Sequence, residues 1–141
     1  MGEADVESAR LCDVCEDSLR AGIAAARAGQ RLGDIGHAVQ TVAEAAGFSV
    51  VRDYCGHGVG RKLHEEPQIP NFGLPGKGPV LKPGMTLAIE PMINQGALQV
   101  EVLANGWTVR TRDRKRSAHF EHTVLVVAEG PAEILTCAEK K

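Results

Sequence analysis

The sequence lacks long apolar runs and any large excess of charge of one sign. No apolar stretch approaches the roughly 20 residues that cross a bilayer, and the N-terminal segment has no apolar signal-peptide core. The formal net charge of the 141 residues is −2, which gives no support to a nucleic-acid-binding surface. We therefore expect neither a membrane nor DNA as a partner.

Cysteine is also scarce: the chain has four, and Cys12 and Cys15 form a CxxC motif that no second CxxC accompanies. A zinc site of this type needs a second pair of ligands. The spacing also fits the buried stripe of a helix, so we interpret the motif as core packing rather than as a redox or zinc site. Free thiols in a chain without a leader favour a cytoplasmic location.

Several motifs of catalysis and binding are missing as well. The sequence has no GxSxG, Walker-type or GxGxxG segment, so neither a nucleophile elbow nor a nucleotide-binding loop is predicted. Residues 110–116 (RTRDRKR) are locally basic, but Asp113 interrupts them and they contain no aromatic residue. We interpret this segment as a solvent-exposed hairpin tip rather than a binding patch.

The first third of the chain has the apolar spacing of two helices. Between residues 5 and 28, apolar and small side chains recur at i, i+3 and i+4, and Gly29 is a stop signal. A second helix is predicted to begin with Asp34 as its N-cap and to end at Gly47. A short β-prone run, residues 48–54, follows.

The second half of the chain is predicted to be mostly β-strand. The strand candidates are residues 86–93, 98–103, 107–111, 120–127 and 133–136. Residues 67–84 hold five of the seven prolines, and we interpret them as an ordered connection. Helices followed by strands predict an α+β fold with helices on one face of a mainly antiparallel sheet.

Residues 54–67 (YCGHGVGRKLHEEP) concentrate glycine, histidine and glutamate. We interpret this segment as a loop, because its pattern fits neither an amphipathic helix nor a regular strand. Imidazole is a metal ligand or a proton carrier, so His57 is either a ligand or a histidine with local hydrogen bonds. His64 would lie on the opposite face of a straight strand, but the glycines allow a bend that brings both rings to one cavity.

Two glutamates lie within the apolar strand candidates, Glu90 in LAIEPMI and Glu121 in AHFEHTVLVV. A carboxylate is costly to bury unless it is paired or binds a metal, so each is either solvent-facing or a metal ligand. Two such carboxylates and two loop histidines together favour a metal site, and these ligand types suit Mn, Co, Fe or Zn. His119 and His122 are expected to share a face opposite Glu121.

Four segments follow one another in the order and spacing of type I methionine aminopeptidases: CGHGVGRKLHEEP, LKPGMTLAIEPM, NGWTVRTRD and SAHFEHTVLV. The resemblance covers about residues 11–136. It implies the pita-bread fold of that family, an α+β arrangement of two αα-β halves, of which this chain resembles the C-terminal half only. Residues 1–141 would then form a single domain of two helices followed by a curved, mainly antiparallel sheet.

The resemblance implies a set of metal ligands. His57 resembles the histidine that binds one of two adjacent divalent metals, and Glu90 resembles a ligand that also transfers a proton. Glu121 resembles the carboxylate that bridges both metals. The reaction implied is metal-assisted hydrolysis, in which the metals activate a water that attacks the carbonyl of an N-terminal methionine.

Substrate contacts are implied in the same way. His64 resembles a catalytic histidine that is not a ligand, contacts the scissile amide and stabilises the oxyanion. Leu63 and Trp107 correspond to residues that line the methionine pocket, although the family often has phenylalanine at Leu63. Glutamine is frequent in the family at the position of His119. The partner implied is the N-terminus of a peptide or nascent protein.

The resemblance leaves part of the family's site without a counterpart. Two further aspartate ligands and another catalytic histidine come from the family's first half, and no matching aspartates on strands occur here. We expect a truncated form whose site a second chain or another copy completes, and an exposed apolar seam. The alternatives are a non-catalytic peptide- or protein-binding module of this fold and a related peptidase that cleaves before proline.

Overall fold

Two helices open the part of the chain that the computed structural model describes, residues 4–137. Helix α1 spans Val6–Ala25 and helix α2 spans Leu32–Ala45. The side chain of Asp5 caps α1 by accepting the backbone N–H of Ser8 at 3.1 Å. The prediction of two successive helices is confirmed, although α1 ends three residues before the predicted position 28.

The predicted role of Asp34 as N-cap is wrong. Helix α2 begins at Leu32 after Arg31, so Asp34 is the third helical residue. Its carboxylate accepts the backbone N–H of Gly76 and that of Arg31, each at 2.7 Å. These hydrogen bonds, that of Gly76 above all, hold the pKa of the Asp34 carboxyl below its ordinary value. Asp34 therefore connects the start of α2 to a distant loop.

The described residues form ten short strands. They are β1 Ser49–Val50, β2 Cys55–Gly58, β3 Glu65–Pro70, β4 Thr86–Ile89, β5 Met92–Asn94, β6 Val100–Val102, β7 Val109–Thr111, β8 Ser117–His119, β9 His122–Leu125 and β10 Glu133–Ile134.

These strands form three sheets, and every strand pair is antiparallel. The largest has the order β10-β9-β4-β2-β3, the second has the order β1-β5-β8, and β6 with β7 forms a separate hairpin. The predicted α+β class with an antiparallel sheet is confirmed. No helix of the described residues is both long and apolar enough to cross a bilayer.

The interpretation of residues 54–67 as a loop is wrong for two stretches, because β2 and the start of β3 lie within them. Strand β2 is the fourth strand of the largest sheet and pairs on both sides. A Cβ on Gly56 would collide with the carbonyl oxygen of Ala88, and one on Gly58 with that of Glu66. These glycines therefore permit close backbone approach inside a sheet. The low strand propensity of glycine led to the wrong prediction of a loop.

Two predicted strands are interrupted in the structure. The candidate 86–93 divides into β4 and β5 around Glu90-Pro91, and the candidate 120–127 begins only at His122. In both places the chain passes from one sheet to another, since β4 pairs with β9 in the largest sheet and β5 pairs with β8 in the second. We call this place, residues 90–91 and 120–121, the sheet crossover.

Both helices pack against the largest and the second sheet, and two groups of buried side chains form the core. The first joins the helices to β4 and β9, with members such as Leu19, Ile35, Leu87 and Val124. The second joins them to β1, β5 and β8 through Leu11, Cys15, Val50, Ile93 and Ala118. A Cβ on Gly22 of α1 would lie 2.8 Å from a methyl group of Val39, so this glycine allows α2 to approach closely.

The interpretation of the CxxC motif as core packing applies to Cys15 alone, which is buried, whereas Cys12 is exposed. The thiol of Cys15 contacts two carbonyl oxygens beside the sheet crossover, Pro91 O at 3.4 Å and Ala118 O at 3.5 Å. Burial raises the pKa of this thiol to about 12. Cys15 is therefore a packing residue that holds α1 against the crossover.

The hydrogen bonds of Asp34 generate a stability prediction. Asp34→Asn keeps only one acceptor oxygen, so we expect the free energy of unfolding to fall by about 1 kcal/mol at neutral pH. A carboxyl whose folded pKa is depressed stabilises the fold above its unfolded pKa and loses that effect as the pH falls through the folded value. Urea unfolding of both chains should therefore show a difference that shrinks below about pH 4.

The matched control is Asp13→Asn, on the exposed face of α1, which should change the free energy of unfolding by less than about 0.5 kcal/mol. Equal stability of the two variants at neutral pH would show that the Gly76 contact does not stabilise the fold.

Candidate metal centre

Both predicted carboxylate ligands lie at the sheet crossover. Ile89 and His122 are the last cross-strand pair before the crossover, and Met92 and His119 are the first pair after it. Glu90 and Glu121 occupy the gap between these two pairs. The ladder is interrupted here, so both side chains are free to turn toward one another instead of alternating across a strand.

The backbone at this gap is held from two sides. The side-chain amide of Asn71, which is 1% exposed, donates a hydrogen bond of 3.0 Å to the carbonyl oxygen of Glu90. The backbone N–H of Phe120 donates to Pro91 O at 3.3 Å. Both contacts fix the main chain, so the position of the Glu90 carboxylate is set by the fold.

The carboxylate of Glu90 lies between two imidazole rings. Its Oε1 is 3.5 Å from His57 Nε2, and its Oε2 is 3.4 Å from His119 Nε2. The Glu90 side chain is only 14% exposed. Hydrogen bonding to Glu90 raises the pKa of His119, as do the negative charges of Glu90 and Glu121, while burial opposes the shift.

The orientation of His57 leaves its outer nitrogen directed at Glu90. Its Nδ1 lies 2.9 Å from the carbonyl oxygen of Gly58, a geometry in which an Nδ1–H donates to that oxygen. In the neutral ring Nε2 then carries a lone pair, which faces a carboxylate oxygen at 3.5 Å. Two acceptors face each other stably only with a proton or a cation between them, so this arrangement fits a bound metal ion.

The closest group of ligand atoms consists of Glu90, His119 and Glu121, all within 4.8 Å of one another. Glu90 and Glu121 are among the metal ligands predicted from the sequence, whereas His119 is not. The expectation that His119 shares a face with His122 opposite Glu121 is wrong, because the chain leaves one sheet between them. His122 instead lies with its Nδ1 2.9 Å from Thr136 Oγ1.

His57 is not a member of this group but lies beside it, where its ring faces Glu90. The set as a whole contains two carboxylates and two imidazoles, a donor set that suits divalent transition metals without selecting one of them. Within residues 4–137 the close group includes no aspartate.

His64 lies at the end of the turn that joins β2 to β3. The turn is closed by hydrogen bonds of the backbone N–H of Gly60 to Lys62 O at 3.1 Å and of Lys62 N–H to the Glu65 carboxylate at 2.8 Å. It brings the His64 ring to within 4.2 Å of the His57 ring, centroid to centroid. The bend that the glycines were expected to allow is thus made by a β-hairpin. The carboxylate of Glu65 stabilises its turn by accepting the backbone N–H of Lys62.

Leu63 and Trp107 are exposed, by 71% and 77% respectively. Trp107 lies in the β6–β7 turn, where its backbone N–H donates a hydrogen bond of 3.3 Å to the side-chain oxygen of Asn105. The paired residues Val102 and Val109 of the same hairpin are exposed as well. The described residues therefore hold these apolar side chains at the surface, and the predicted methionine pocket and apolar seam stay predictions.

Comparison with known proteins places the chain among peptidases. The family model described as metallopeptidase family M24 matches residues 1–128. Methionine aminopeptidase 1 of Bacillus subtilis is 53% identical over 136 residues, which are 96% of this chain and 54% of that protein. The chain spans about half the length of the curated relatives that it matches, in agreement with the predicted similarity to one half of such an enzyme.

Solved structures agree with this match. The methionine aminopeptidase of Thermotoga maritima superimposes with a TM-score of 0.94 at 51% identity, covering 98% of this chain and 55% of that one. That of Rickettsia prowazekii also gives 0.94, at 47% identity, covering 96% and 55%. The predicted pita-bread half-fold is confirmed by these similarities.

The contact between Asn71 and Glu90 generates a second prediction. Asn71→Ala leaves the carbonyl of Glu90 without its donor, so the free energy of unfolding should fall by about 1–3 kcal/mol in urea titrations. Gln68→Ala, an exposed position on the preceding strand β3, is the matched control and should change it by less than about 0.5 kcal/mol. Equal loss in both variants would rule out a special role for Asn71.

Proposed function

Since this chain belongs to metallopeptidase family M24, we propose that it supplies a metal centre for the removal of N-terminal methionine from peptides and nascent proteins. The observation that carries the proposal is the arrangement of Glu90 between two imidazoles at the sheet crossover, with Glu121 beside it. The 53% identity to a methionine aminopeptidase supports the choice of substrate.

In this proposal His57, Glu90 and Glu121 hold divalent metal, with Co, Mn, Fe and Zn as the candidates. When bound, such an ion supplies a Lewis acid and lowers the pKa of water in its shell. The hydrogen bond of His57 Nδ1 to Gly58 O keeps Nε2 free for coordination. Glu90 acts in addition as the base that receives the proton of the attacking water and delivers it to the leaving amine.

His64 is the proposed catalytic partner of these residues on the substrate side. Its ring touches that of His57 but lies in an exposed turn, so it is accessible to a peptide. There it would donate a hydrogen bond to the scissile carbonyl oxygen and stabilise the oxyanion. The exposed Leu63 and Trp107 are the proposed contacts of the methionine side chain.

A centre with two metals needs more ligands than the described residues bring together, because their close group holds two glutamates and a histidine. We propose that a second chain or another copy contributes further carboxylates. The aminopeptidase activity is thus a property of the completed centre.

The direct test measures methionine release from a Met-Ala-Ser peptide by the purified 141-residue chain, in which another copy can complete the centre, with Co²⁺ or Mn²⁺ added. Release should depend on the metal and should fall about 100-fold or more in Glu121→Ala, since even outer partners of metal ligands contribute 10–100-fold. Glu129→Ala, an exposed carboxylate outside the close group, is the control and should keep the full rate.

Two results would contradict the proposal. One is release at an equal rate in Glu121→Ala. The other is faster cleavage of an Ala-Pro peptide than of Met-Ala-Ser, which would favour a peptidase that acts before proline. A folded chain that binds the peptide equally with and without a chelator, and releases no methionine, would favour a binding module instead.

A further inference from the structure

His119 belongs to the close group of ligand atoms, yet the ligand set predicted from the sequence and proposed above does not include it. Its Nε2 lies 3.4 Å from Glu90 Oε2, on the carboxylate oxygen opposite the one that faces His57. The His119 side chain is 46% exposed, so an ion can reach it from solvent.

We propose that His119 is a nitrogen ligand of the metal centre, so that Glu90, His119 and Glu121 form a site for one divalent ion within this chain alone. The inference rests on the proposed function, since it concerns the same centre. The inference differs from the proposed function because one ion would be held here without ligands from any other chain.

The distances permit such a site. Three ligand atoms spread evenly around one ion, each at about 2.1 Å from it, are about 3.6 Å apart. The ligand atoms of Glu90, His119 and Glu121 lie within 4.8 Å of one another. Shifts of less than about 1 Å therefore bring all three onto one ion.

The chemistry of the three ligands predicts a metal preference. Two carboxylates alone would suit Mg²⁺ or Mn²⁺, whereas an added imidazole favours Co²⁺, Ni²⁺ and Zn²⁺. Because His119 and His57 face different oxygens of Glu90, coordination by His119 leaves the second oxygen available on the His57 side.

The rival explanation is that His119 only neutralises the charge of Glu90 as an ion pair. His119→Gln separates the two explanations, because glutamine retains an N–H donor for the carboxylate but is a poor metal ligand. His122→Gln is the matched control, since it removes an imidazole three residues away that faces Thr136.

The experiment titrates Co²⁺ into the 141-residue chain and follows the visible absorption of the bound ion. His119→Gln should weaken Co²⁺ binding by about tenfold or more, and His122→Gln should leave it within about twofold. Urea unfolding without metal, measured on the same variants, establishes that each is folded.

A second measurement needs no variant. Long-range ¹H–¹⁵N spectra of the unmodified chain should show the Nε2 signal of His119 shifting when Zn²⁺ is added, while the ring signals of His122 stay in place. An unchanged Nε2 signal of His119 at saturating Zn²⁺ would overturn the proposal.

The outcomes distinguish this inference from the proposed function. Normal Co²⁺ affinity in His119→Gln, with loss in Glu121→Ala, would make His119 a charge partner only and leave the metal centre intact. Normal affinity in both variants would overturn the metal centre and His119 with it.

Discussion

The structure depends on one constraint: two paired segments of the chain leave one sheet and enter another at the same place. Strands β4 and β9 pair in the largest sheet, and their continuations β5 and β8 pair in the second. Pro91 has no N–H to donate to a ladder, which marks the point where one strand stops. The gap that results holds Glu90 and Glu121 close together, Glu90 within the apolar segment LAIEPMI and Glu121 at the mouth of the apolar strand that follows it.

The surrounding elements keep this gap open and rigid. Gly56 lets β2 approach β4 closely, and Gly58 lets it approach β3, so that His57 between them lies at the edge of the gap. On the opposite side Cys15 of α1 lies against the carbonyls of Pro91 and Ala118, while Asn71 binds that of Glu90. A glycine-rich strand, a buried thiol and a buried amide are thus parts of one support, because each contacts main chain rather than the reacting groups.

The chemistry of the metal centre follows from the low solvent exposure of the Glu90 carboxylate. The carboxylate of Glu90 is 14% exposed and each of its oxygens faces an imidazole nitrogen, so a cation or proton is needed to balance the site. The membership of this chain in metallopeptidase family M24 agrees with a divalent metal ion as the balancing cation. His119 places an imidazole on the second oxygen of Glu90, and in our proposal it raises the number of ligands that the chain offers by itself.

The sequence by itself determined the two helices, the antiparallel β-rich second half and the family, through contiguous motifs that preserve residue order and spacing. It also singled out His57, Glu90 and Glu121, because glutamate within apolar strands and histidine among glycines are unusual in local chemistry. Only the tertiary structure decided that 55–58 is an inner strand, that 86–93 is broken at Glu90, and that His119 lies beside Glu121 while His122 does not. Alternation along a strand is a local rule, and it fails where pairing partners change. That change depends on residues 27 to 33 positions apart in the chain pairing in two different sheets, and a local sequence pattern does not contain this information.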